Sequence, residues 1–118
     1  PGTQIKIIET IVVDKSLTIL GPNSGISGCA GRGSEAIIMA PSSQPYYDGS
    51  TEVRLVEVEA SNVTIKGFTF DGDNPAIMNA FAIDAADGID VYGNYGGIII
   101  ENNIFKNLNE GGVNAFPD

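Results

Sequence analysis

The chain contains no histidine and no tryptophan, and its single cysteine, Cys29, has no second thiol to pair with. An internal disulfide is excluded, and so is a metal site built from imidazole and several thiolates. A nucleophilic thiol needs a base beside it, so in a chain without imidazole Cys29 reads as a buried or half-buried structural residue. Its presence does not fix the compartment. Basic residues are also few, six Lys and Arg against fifteen Asp and Glu, for a formal charge of −9 at pH 7. That field repels phosphate backbones and anionic lipid, so nucleic acid is not an expected partner. No apolar run approaches the roughly 20 residues of a membrane-spanning helix. The stretch after Pro1 has neither the charged start nor the apolar middle of a secretion signal. Membrane insertion is not expected, and nothing in this stretch anchors or targets the chain.

Long helix-forming stretches are missing too, whereas glycine is abundant, with 15 residues. Apolar residues come in short runs bounded by Gly, Asn, Asp, Ser or Pro, the pattern of strands and turns. The runs are 5–8, 11–13, 17–20, 36–39, 53–58, 63–70, 89–91 and 98–105. An all-β chain of 118 residues with no shift in composition is expected to have one core.

Three runs superpose: Ser16-Leu17-Thr18-Ile19-Leu20-Gly21, Asn62-Val63-Thr64-Ile65-Lys66-Gly67 and Gly97-Ile98-Ile99-Ile100-Glu101-Asn102. The last two stay in register through a second strand, with Gly67-Phe68-Thr69-Phe70-Asp71-Gly72 lying over Asn102-Asn103-Ile104-Phe105-Lys106-Asn107 at one constant offset of 35. A further strand precedes each copy, so each period holds about three strands, the requirement for a solenoid coil. The first spacing is 46, and its extra residues fall in the Gly, Ser and Pro segments 22–34 and 41–50. Alternation points Leu17, Ile19, Val63, Ile65, Ile98 and Ile100 inward and Thr18, Leu20, Thr64, Lys66, Ile99 and Glu101 outward. Phe68 or Phe70, with Phe105, extends the expected core, and Asn103 is expected to hydrogen-bond backbone at a corner. This predicts one segment over 1–118: a coil at about 5–40 with long loops, a second at about 51–75 and a third at about 88–113.

Pro1-Gly2-Thr3 with the stretch from Glu9 to Ile26 resembles the opening coil of pectin-lyase-like right-handed parallel β-helix proteins. The run from Gly97 to Asn107 is similar to their recurrent coil. The resemblance covers most of the chain outside the loops at 41–50 and 74–87, and it implies the N-terminal coils of an extracellular or cell-surface protein. It also implies a fragment of a longer solenoid or a stacking subunit, because that family usually carries a cap before and many coils after. These repeats encode stacking in lyases, hydrolases, tail fibres and adhesins alike, so the likeness implies fold more than activity.

The candidate sites are few. Asp71-Gly72-Asp73-Asn74, followed by Asp84, Asp87 and Asp90, offers oxygen ligands of the type calcium takes, with Asp71 and Asp73 as ligands. The same residues are ordinary turn vocabulary and read first as a solvated loop, with calcium as the alternative. No other cofactor is expected. Tyr46, Tyr47, Tyr92 and Tyr95 lie in or beside loops, where aromatic rings could stack on sugar. Lys66 and Glu101 meet on neighbouring coils, more simply a cross-strand ion pair than an acid and base. Asn62-Val63-Thr64 matches a glycosylation acceptor at a poor place, a strand start, and Gly28 to Gly33 reads as a flexible loop rather than a phosphate cradle. No catalytic constellation is visible, and whether the chain is an enzyme stays open. The expected function is a structural or adhesive β-helix module, stacking on neighbouring coils or on copies of itself into a fibre. The alternatives are the first coils of a polysaccharide lyase or glycoside hydrolase, or a non-catalytic module that binds polysaccharide.

Overall fold

The structure, a computed structural model, describes residues 3–42, 52–78 and 83–116. Among these residues there are eleven strands and no helix. The strands are β1 (Thr3–Ile5), β2 (Ile11–Val13), β3 (Thr18–Leu20), β4 (Ala36–Met39), β5 (Arg54–Val58), β6 (Thr64–Lys66), β7 (Thr69–Asp71), β8 (Asp87–Tyr92), β9 (Ile99–Glu101), β10 (Ile104–Lys106) and β11 (Gly111–Phe116). Every ladder is parallel, and every strand pairs with the one three places along the chain. Three sheets result, in the orders β1-β4-β7-β10, β2-β5-β8-β11 and β3-β6-β9. A tight turn cannot join parallel neighbours, so the chain must leave a sheet and come back to it. Here the strands of the other two sheets make that return journey.

The registers match the repeat. Thr18 pairs with Thr64, and Thr64 with Ile99, as the superposed runs require. Thr69 pairs with Ile104 and Phe70 with Phe105, at the offset seen in the sequence. Inward side chains form columns. Ile19, Ile65 and Ile100 make one column, and Ile5, Ile38, Phe70 and Phe105 another, the last two rings stacked with centroids 5.0 Å apart. Ile65 is 2% exposed and Phe70 0%, while the first and last members of each column are only partly buried. A middle residue is covered from above and below; an end residue lacks one of those neighbours. The same reason corrects Leu17, which was expected inside but is 39% exposed in the first circuit, beneath a fully buried Val63.

Corners are set by residues that tolerate a left-handed backbone. Asn62 (φ 57°) and Gly97 (φ 70°) open equivalent strands, and Gly67 (φ 85°) and Asn102 (φ 58°) close them. Glycine has no Cβ to clash there, and asparagine tolerates the conformation better than other side-chain-bearing residues. Next to that corner, the Asn103 amide takes the Phe68 N–H on Oδ1 (2.9 Å) and donates from Nδ2 to the Ile65 carbonyl (3.0 Å). It holds the circuit below through its backbone, as expected of a structural asparagine.

Two expectations fail in the loop before β4. Residues 21–35 are not loose. Buried Asn23 takes the Gly33 N–H and donates to the Ser34 carbonyl, both at 3.0 Å. Arg32 forks onto Glu35 at 2.7 and 2.9 Å and donates from Nη1 to the carbonyls of Ile26 and Asn102, each at 2.8 Å. Asn102 Nδ2 returns a bond to the Ser24 carbonyl at 2.7 Å. Hydrogen bonding from Arg32 outweighs burial and, with a bond from Thr69, holds the Glu35 carboxyl down at about 2. Cys29 lies exposed on this strap rather than buried, since the strap spends its polar groups on its neighbours and leaves the thiol on its outer side. Strand composition also misplaced one strand and left another unmarked. The first strand is 3–5 rather than 5–8, and β11 begins on two glycines that carry no strand signal.

Replacing Asn103 with Ala leaves the Phe68 N–H and the Ile65 carbonyl without their partner. We expect a loss of about 1–3 kcal/mol in urea unfolding, whereas Asn109→Ala, at an exposed turn, is expected to change stability by less than about 0.5 kcal/mol.

Candidate functional site

The polar side chains that converge most closely lie on the outer face of the sheet β2-β5-β8-β11. Strict alternation along β5 would send Arg54 to the same side as Val56 and Val58, yet the core takes Leu55, Val56 and Val58. The ladder skips Leu55 opposite Gly88, and Gly88 opposite Gly112, which marks a local break in the pleat. The two glycines make room for Phe105: a Cβ at Gly88 would come within 2.8 Å of its ring and one at Gly112 within 2.9 Å. Because alternation resets there, Arg54 meets the groups that Glu57 and Asp90 present.

Glu57 pairs in register with Asp90 and Asp90 with Asn114, while Arg54 pairs with Asp87. Arg54 donates from Nε to Asp90 (2.9 Å), from Nη1 to Glu57 (3.2 Å), and from Nη2 to Glu52 (3.0 Å) and to the Tyr92 hydroxyl (2.7 Å). Burial works against its charge, but the bond to Asp90 and the surrounding charges hold its pKa above the ordinary value. Asn114 Nδ2 donates to Asp87 (2.6 Å) and to Asp90 (3.2 Å). Asp87 is 1% exposed and Asp90 0%. Burial first, and the neighbouring Asp90 second, push the Asp87 carboxyl up to about 6 against the pull of Asn114. A hydrogen bond with Glu59, followed by burial, raises Glu57, and burial raises the Tyr92 phenol. The result is a dense network in which the guanidinium makes four hydrogen bonds and burial pushes one carboxyl up to about 6.

Other candidates are placed separately. Asp71 closes β7; its Oδ1 accepts the Asp73 N–H (3.0 Å) and Asn107 Nδ2 (2.8 Å), and Lys106 Nζ stands 3.8 Å from its Oδ2. Asp84 accepts the Asn74 N–H at 2.9 Å, and Asn74 Nδ2 donates to the Ala40 carbonyl at 2.9 Å. These are turn and corner bonds, and among the described residues no three Asp, Glu or Cys gather in a way that could hold a metal. Tyr46 and Tyr47 lie outside the described residues. Tyr92 is covered on both sides, by the Arg54 guanidinium 4.8 Å from its centroid on the β5 side and by the Phe116 ring at 4.9 Å on the β11 side. Its faces are taken, so it has none to offer a sugar. Tyr95 is exposed, its ring beside Gly93. Lys66 and Glu101 form the cross-strand pair, at 2.7 Å.

The network was only partly visible in the sequence. Asp87 and Asp90 stood out as acids after the loop, but not as partners of Arg54. A signal was present: Arg54 with Glu57, and Asp87 with Asp90, each place charges three apart inside an apolar strand, where a regular pleat would put them on opposite faces. No protein-family model matches the chain, and neither a curated protein nor a solved structure matches it significantly.

Removing the guanidinium leaves buried Asp90 without a cation, so Arg54→Ala is expected to cost about 3–5 kcal/mol in denaturant unfolding. Glu52→Gln, at the exposed rim of the same network, should cost less than about 1 kcal/mol. Equal effects of the two changes would show that Asp90 does not depend on Arg54.

Proposed function

We propose that the chain is a segment of right-handed parallel β-helix, of the pectin-lyase-like kind, that acts as a structural or adhesive module of an extracellular or cell-surface protein. The winding through three parallel sheets with a period of three strands supports the helix. Right-handedness is what parallel crossovers take in about 98% of cases. The observation that carries the functional reading is the contrast between the flank and the ends. On the flank, Arg54, its carboxylates and Asn114 satisfy one another. At the ends, strands β1, β2 and β3 on one side and β9, β10 and β11 on the other pair with one strand only among the described residues, with Leu17 and Leu20 exposed at the first and Val113 (46%) and Phe116 (41%) at the last. Open edges beside apolar side chains are surfaces for further rungs.

Register bears on which rungs. Along the β1-β4-β7-β10 columns Lys6 follows Ile5 just as Lys106 follows Phe105. A second copy stacked in the same register would set these two ammonium groups against each other, which disfavours that contact. Rungs of different sequence therefore fit the ends better than an identical copy does.

A second reading draws on Asp87. A carboxyl raised by burial beside a second carboxylate is a group that glycoside hydrolysis can use as a general acid, and at 1% exposure Asp87 would have to be uncovered before it could meet a sugar.

Both readings meet in one set of measurements. In sedimentation, we expect the chain to self-associate weakly, Val113→Lys to abolish the association and Lys6→Glu to strengthen it by giving Lys106 an opposite charge. A chain that stays monomeric at every concentration, in all three forms, overturns stacking between copies and leaves rungs of different sequence as the occupants of the ends. Release of sugar products from a polysaccharide, lost in Asp87→Asn, would establish the second reading instead.

A further inference from the structure

The outer face of β5, β8 and β11 holds more negative charge than its guanidinium neutralises. Asp87 and Asp90 stand three residues apart on β8, both withdrawn from solvent, with Asn114 Nδ2 bridging them. Arg54 directs its hydrogen bonds to Asp90, Glu57, Glu52 and Tyr92. Among the described residues, the Asp87 side chain is held by the neutral Asn114 amide alone. The charged groups around it come from every neighbouring element: Asp90 on its own strand, Glu52 just ahead of β5, Glu110 just ahead of β11, and Arg54 across the ladder. Glu57, raised through Glu59, lies on the far side of Arg54 and adds to the negative charge.

We propose that Asp87 is a proton-operated latch on β11: with a proton, it shares Asn114 with the Arg54-paired Asp90 free of mutual repulsion, and without one, it is a buried anion that the Asn114 amide alone must hold beside Asp90, and β11 loosens from β8. Asn114 sits in the middle of β11, an edge strand whose one ladder is to β8, so whatever disturbs that amide acts on the whole strand. Among the described residues the amide makes the only side-chain hydrogen bonds from β11 to this network, and Phe116 adds ring stacking on Tyr92.

The direction follows from the carboxyl's environment. Its pKa is raised from the usual 3.8 to about 6. Folding therefore favours the protonated form, so the contribution to stability is complete below the unfolded value and is lost as pH rises through about 6. Glu35 works in the opposite sense: its carboxyl is held down at about 2, so its contribution is present above the ordinary value of 4.5 and is lost as pH falls through about 2.

The test follows thermal unfolding and amide exchange in the wild-type chain and in Asp87→Asn, which keeps an acceptor oxygen for Asn114. Between about pH 4.5 and about pH 8 the wild-type folding constant should fall roughly thirtyfold through this group, and that fall should vanish in the variant. The amides of Val113 and Ala115 should exchange faster, relative to those of β5, at the upper end of the range in the wild type only. Equal pH slopes in the two proteins overturn the proposal. If the variant fails to fold, the carboxyl carbon of Asp87 is titrated by NMR in the wild type: a midpoint near 6 supports the latch, and a midpoint at the ordinary aspartate value overturns it.

Discussion

Parallel pairing is the constraint on which the rest of this structure depends. Once each strand must lie alongside one that points the same way, every connection has to travel around the molecule, and the corners of that path must repeat at the same places in each circuit. Asn62 and Gly97 open one side of equivalent strands, and Gly67 and Asn102 close it, all four with positive φ. With those corners in place, inward positions stack into columns. A column of like apolar side chains is then the simplest way to fill the interior, as Ile19, Ile65 and Ile100 do. Asn103 adds backbone hydrogen bonds at the place where the path bends most sharply.

The same stacking places charged side chains in columns on the outer surface, and there its effect is less benign. Like charges in neighbouring circuits meet at strand spacing, so each needs an opposite charge or a proton. Three solutions occur side by side. Lys66 and Glu101 form a simple, half-exposed pair. Arg54 gathers three carboxylates and a tyrosine, its charge shielded by an aromatic ring. Asp87, left over from that arrangement, reduces its charge by binding a proton more tightly than a solvated carboxyl does. The acidic balance of the chain thus has a local consequence beyond solubility.

The regular part of this fold was legible in the sequence because period and composition agree there. The runs at 17–20, 63–66 and 98–101 align residue for residue, and their ladder follows that alignment. Legibility failed where a contact distant in sequence sets the local structure. β11 starts with Gly111 and Gly112, which read as a turn, but β8 templates it and Phe105 fills the space the missing side chains leave. The glycine-rich stretch at 21–35 reads as loose because its order comes from Arg32 reaching a carbonyl 70 residues away. The polar network was partly hidden for a third reason. The break in the pleat at Leu55 and Gly88 moves Arg54 to a face that strict alternation denies it.

The tie between Arg32 and the Asn102 carbonyl, with the return bond from Asn102 to Ser24 across 78 residues, also sets an order of events. A chain leaving the ribosome presents residues 21–35 long before residue 102 exists. Until the third circuit is made, the strap has its internal bonds and its contacts with the second circuit, but Arg32 lacks the Asn102 carbonyl and Ser24 lacks the Asn102 amide. The first circuit thus takes its last two strap bonds from the third. Truncation ahead of Asn102 would for that reason remove two of the bonds that hold residues 24 and 32.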